Sequence, residues 1–82
     1  MKGKKVRIQL HTPINMEVPE ESNKEKPHDE TFFGVNGVIT EWRDSGVELE
    51  GHDFFNERGQ KVTLPNCTLF IPFHKIDHIL AR

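Results

Sequence analysis

Apolar and polar residues alternate at the start of the chain, with Val6, Ile8 and Leu10 on one face and Lys5, Arg7, Gln9 and His11 on the other. A period of two predicts a half-buried strand over residues 5–11. Pro13 interrupts the alternation and Ile14, Met16 and Val18 resume it. That predicts an edge strand or a bend, because proline has no N–H for a central ladder. Residues 31–42 form a second predicted strand, with Gly34 and Gly37 as points of sharp curvature inside it. Arg43-Asp44-Ser45-Gly46 has turn chemistry. Val47-Glu48-Leu49-Glu50 then alternates again, predicting a hairpin with Val47 and Leu49 inward. Residues 51–59 are expected to be irregular, ending in a turn at Asn56-Glu57-Arg58-Gly59. A short strand over 61–64 is expected to break at Pro65-Asn66, with further strands over 67–71 and 76–81. The end of the chain has a rival reading. Phe73, Ile76, Ile79 and Leu80 also fit one face of a short helix starting at Pro72. The whole pattern predicts an all-β, strongly bent five-stranded small barrel with no substantial helix.

Size narrows this further. With 82 residues, a single domain over 1–82 is expected. Burial and chain entropy nearly cancel in a domain this small, and 34% hydrophobic residues make a thin core, so self-association would help. The stretch 19–30 (PEESNKEKPHDE) has no large apolar residue and is expected to be a mobile acidic loop. A net charge of −2 excludes a bulk basic field for nucleic acid, although Lys2, Lys4, Lys5 and Arg7 crowd the N-terminus. Cys67 is alone, which excludes an internal disulfide and a cysteine-cluster metal site and suits a reducing compartment. No apolar run approaches membrane-spanning length, and residues 6–10 are too short for a signal peptide's apolar region. A cytoplasmic protein with no membrane partner is expected.

Candidate chemistry is sparse. His74, Asp77 and His78 would share one face of a helix, as a metal ion requires, but would splay on a strand; His52-Asp53 offers further ligands. Of the aromatic residues, Phe33 and Phe70 are assigned to the core, and Phe54-Phe55 to a lid or partner contact. Lys4, Lys5 and Arg7 suit phosphate contacts or simply a solubilising terminus. Cys67 has no neighbouring cation in sequence and is expected to be an inert buried thiol. No Gly-rich phosphate loop, hydrolase elbow or carboxylate pair in an apolar setting is present, so neither enzymatic activity nor a cofactor is expected.

Two segments carry a resemblance. Val35-Asn36-Gly37-Val38-Ile39-Thr40-Glu41-Trp42-Arg43-Asp44 has an apolar–Gly start and an Asp turn seven positions after Gly37. Phe70-Ile71-Pro72-Phe73-His74-Lys75-Ile76-Asp77-His78-Ile79 closes the chain as strand, turn with His, and strand. Together, over about residues 32–80, they resemble the Sm-like superfamily, which includes the Hfq-like bacterial RNA chaperones. That family's N-terminal helix is replaced here by a strand pattern, and Phe73 stands where the bacterial proteins have Lys before their His. The resemblance implies an SH3/Sm-like barrel that binds single-stranded RNA. It further implies that His74 hydrogen-bonds a base or ribose, with Phe73 and Lys75 facing RNA and Lys4, Lys5 and Arg7 assisting. It also implies edge strands that pair between subunits of a homo-oligomer. The expected function is therefore a non-catalytic binding module for RNA. The alternatives are an assembly module using Phe54-Phe55 and the edge strands, which the acidic balance favours, or a small metal-binding regulatory protein built on His74, Asp77 and His78.

Overall fold

In the computed structural model, which describes residues 2–18 and 28–82, the alternation at residues 5–18 becomes one long strand, β1 (Lys5–Val18). β2 (His28–Trp42), β3 (Gly46–Asn56), β4 (Lys61–Pro72) and β5 (Ile76–Ala81) follow. A single 3-10 turn, Phe73–Lys75, separates β4 from β5, so the rival helix over the chain's end is not formed. The predicted loop at 19–30 falls mainly on residues 19–27, outside the described residues, while residues 28–30 belong to β2.

Two predicted interruptions are absent as breaks and present as bulges. β1 stays one strand through Pro13 because residues 10–13 form a bulge against β2 opposite Phe33, between the pairs Gln9↔Gly34 and Ile14↔Phe32, while Leu10 keeps its pairing with Ile76 of β5. β4 runs through Pro65-Asn66 in the same way: residues 64–66 face only His52, between Gly51↔Cys67 and Asp53↔Thr63. β4 lies at the edge of the sheet, where a missing N–H costs no central bond. Residues 51–56, expected to be irregular, continue β3 because they pair on both sides, with β2 and with β4.

The five strands form one antiparallel sheet in the order β4-β3-β2-β1-β5. β4 and β5 are its two edges, so the sheet is not closed into a hydrogen-bonded barrel. The fully buried side chains nevertheless come from four strands: Val6 and Ile8 of β1, Phe32, Val35 and Ile39 of β2, Val47, Leu49 and Phe54 of β3, and Ile71 of β4. A flat sheet with no covering helix cannot bury one face so completely. The molecule measures 37 × 22 × 20 Å, and a 20 Å thickness is about two sheet layers. The sheet is rolled, and its two halves cover each other.

Gly37 shows how the roll is made. It sits at a bulge opposite Gly51, and a β-carbon there would run into the carbonyl oxygen of Glu50. Only a residue without a side chain lets β2 and β3 approach this closely. Among the described residues, no helix is long and apolar enough to cross a membrane.

Candidate functional site

The turn at Phe73–Lys75 is pinned to the β2–β3 hairpin. The Phe73 N–H donates to the Ser45 carbonyl at 3.0 Å, and the Arg43 N–H donates to that of Gly46 at 2.9 Å. This clamp brings Trp42, the final residue of β2, against Phe73, with ring centroids 5.1 Å apart and planes tilted by 50°. Trp42 remains 45% exposed. His74 beside it is exposed and Lys75 is half-buried. Trp42 and Phe73 thus form a half-exposed aromatic pair, and the two residues that follow Phe73 in the turn carry an imidazole and an ammonium, groups whose chemistry suits stacking of an unpaired base and contact with its phosphate. Sequence reading singled out Phe73, His74 and Lys75 and missed Trp42, whose part depends on a hairpin folding onto a distant turn.

The basic N-terminus does not join that surface. The Lys5 carbonyl accepts from the Arg82 N–H, and Val6 pairs with Ala81, whereas the 73–75 turn lies beyond the pair Leu10↔Ile76. The six residues of β5 lie between them, about 20 Å at ~3.3 Å per residue. Lys4 and Lys5 are exposed at the far end. Arg7 points elsewhere again, with its guanidinium 3.9 Å from the centroid of the Phe55 ring.

That contact belongs to the outer face of the sheet. The expected Phe54-Phe55 pair is split by strand alternation. Phe54 is fully buried, tilted against Phe32 at 5.4 Å between centroids, so it is a core residue and no partner contact. Phe55 faces outward. The expected core residues Phe33 and Phe70 are likewise corrected: Phe33 is half-buried on the outer face, and Phe70 is exposed on β4. Phe33, Phe55, Arg7 and Gln9 line a cleft of about 400 Å³ that is completed by the turn after β3. Asn56 builds that turn. Its side-chain carbonyl accepts from the N–H groups of Arg58 and Gln60, and its amide donates to Glu30 and Gln60. Arg7 has no ion pair among the described residues, and its Nε is buried without an acceptor. Asn36, directly opposite Arg7 in the ladder, buries an Oδ1 that lacks a donor.

The three expected metal ligands are dispersed. Asp77 and His78 are neighbours on β5 with 3.1 Å between Oδ2 and Nδ1, while His74 lies in the turn. His52 and Asp53 form a 4.0 Å pair on β3. Among the described residues, no three His, Cys, Asp or Glu side chains are grouped to hold a metal ion. Cys67 is half-buried, with Sγ 3.8 Å from the Gly51 carbonyl, and burial pushes its thiol pKa up. Its reactive thiolate is correspondingly scarce. No protein-family model, curated protein or solved structure matches this chain.

Proposed function

We propose that this chain is a non-catalytic binding module of SH3/Sm-like architecture that holds single-stranded RNA at the surface of Trp42, Phe73, His74 and Lys75. The observation that carries the reading is Trp42, half exposed and packed at a tilt against Phe73, the residue that His74 and Lys75 follow in the turn. Stacking on one such ring is worth about 1–3 kcal/mol per base and tolerates any sequence. The imidazole adds a donor and an acceptor for a base edge or ribose. Five strands rolled about one core, with the His-bearing turn ahead of the last, support the kinship that the two sequence segments imply. With a net charge of −2, affinity has to come from a few local cations, so the salt slope is shallow, about −0.7 per phosphate contact.

A second observation favours self-assembly as the context for this binding. Among the described residues both sheet edges lack strand partners, and each presents an exposed apolar side chain, Phe70 on β4 and Leu80 on β5. Edges of that kind pair with another chain or are guarded.

One experiment addresses both. Labelled A-rich and U-rich decamers are titrated at low salt, following anisotropy and the fluorescence of the chain's single tryptophan, with light scattering on the same samples. Saturable binding with Trp42 quenching is expected, weakened at least tenfold by Trp42→Ala and by His74→Ala, together with a defined oligomer. Absence of binding at low salt ends the RNA reading, and a strict monomer ends the assembly reading.

A further inference from the structure

The outer-face cleft has a composition that neither the core nor the 73–75 turn accounts for. We propose that it is a second binding site, one that takes a single nucleotide unit with its base on Phe33 and its phosphate on Arg7. The ligand class rests on the nucleic-acid reading above; the site itself does not involve the 73–75 turn.

Arg7 carries the assignment. It is half-buried, has no ion pair among the described residues, and sits over the Phe55 ring with Cζ 3.9 Å from the centroid. The ring holds the guanidinium at the cleft without using its N–H groups, and a planar guanidinium suits a two-point grip on a phosphate oxygen pair. Glu57 is the carboxylate among the residues lining the cleft, and no ion pair joins it to Arg7.

Two orphaned atoms make a second observation. Arg7 Nε has no acceptor, and Asn36 Oδ1, on a side chain only 7% exposed, has no donor. The two residues are direct cross-strand partners. Buried polar atoms are seldom left unpaired, so an unpaired donor and acceptor on directly paired residues mark a polar spot at Arg7 that the fold alone does not satisfy and that a bound water would complete.

The remaining walls match the rest of a nucleotide. Phe33 lines the cleft, is only half-buried, and has no ring partner among the described residues, which makes it the aromatic surface offered to a base. The Gln9 amide offers both donors and an acceptor for a base edge. Asn56 is fully committed to its own turn and serves as a rigid floor. A volume of about 400 Å³ lies in the range of small-ligand sites, roughly 300–1,000 Å³.

The test uses the full chain, with AMP, UMP, inorganic phosphate, hexa-adenylate and hexa-uridylate as probes in calorimetric titrations at low salt. The variants are Arg7→Gln, Arg7→Lys, Phe33→Ala and His74→Ala, each checked by thermal melting. Arg7→Gln and Phe33→Ala are expected to weaken hexamer binding at least tenfold. Arg7→Lys keeps charge and stem but loses the planar fork, and is expected to weaken it at least threefold; it stands in should Arg7→Gln fail to fold. Saturation by AMP or UMP, with phosphate alone binding far more weakly, identifies a free nucleotide as sufficient. Binding of the hexamers alone identifies a nucleotide within a strand. If the Arg7 and Phe33 variants bind every probe as the parent does while His74→Ala fails, the cleft assignment falls and the turn reading stands. If the His74 variant binds normally while the Arg7 and Phe33 variants fail, the reverse holds. If the parent binds no probe, both fall.

Discussion

Phe54 and Phe55 are neighbours in the chain and end in opposite environments. Phe54 is sealed inside the roll against Phe32, and Phe55 lies outside it beneath the Arg7 guanidinium. The inner face is apolar without exception among its fully buried side chains, whereas the outer face mixes rings with Arg7, Gln9 and Asn36. The inner face therefore carries most of the stability, and the outer face is free to keep unpaired polar atoms that a core would not tolerate. A small rolled sheet can hold a binding surface because a single strand serves both faces by turns.

The sharpest way to test this contrast is to truncate both rings. Phe54→Ala is expected to cost about 3–5 kcal/mol, as for a buried Phe, enough to leave a domain of this size largely unfolded. Phe55→Ala is expected to cost only about 1 kcal/mol, from a half-exposed ring and one cation–π contact. Denaturant melts of the two variants decide it, and equal losses would mean that the outer face is structural as well.

A smaller effect is expected at the turn that closes the cleft. Asn56→Ala removes four hydrogen bonds from one buried side chain and is expected to destabilise by about 1–3 kcal/mol. Asn56→Asp keeps the two backbone bonds to the side-chain oxygen and is expected to retain part of that. Loss of Phe33 or Arg7 packing without loss of melting temperature in the alanine variant would show the turn to be independent of the fold.

The smallest effect concerns Cys67. Burial raises its pKa, so the thiol stays protonated in the folded state at pH values where an unfolded chain already holds thiolate. The resulting stability is complete below the unfolded value and declines as pH rises through the folded one. Alkylation by iodoacetamide at pH 8 is expected to be slower in the native protein than in denaturant. Equal rates would show that the thiol is not shielded.

Where alternation is strict, the inner face was legible in the sequence: Val6, Ile8 and Leu10, then Val47 and Leu49, all lie inward as their spacing predicts. The phase was lost where bulges intervene. Phe32 and Val35 stand three apart, which simple alternation assigns to opposite faces, yet both are buried because β2 shifts register between Phe32 and Gly34. A one-residue slip exchanges the two faces. In sequence, Phe33 is assigned to the core because a small domain buries most of its aromatic residues, and Phe54-Phe55 to a lid or partner contact because residues 51–59 read as irregular. Pro13 reads as an edge strand or a bend and Pro65-Asn66 as a break, because nothing local reveals a partner strand able to absorb a bulge. At the candidate site, the turn residues Phe73, His74 and Lys75 were recognisable from their motif. Trp42 and the Arg7–Phe55 stack were not, since each is created by contact between distant parts of the chain.

The place of β1 between β2 and the edge strand β5 also governs how the chain can assemble itself. β2, β3 and β4 meet through successive antiparallel pairings, but Val6 has to find Ala81 across nearly the whole sequence. Closing so large a loop is entropically costly and is repaid only when Ile79 and Ile76 reach β1. Docking of β5 is therefore the natural slow event in folding, and until it happens the strand that anchors the sheet is itself a bare, sticky margin.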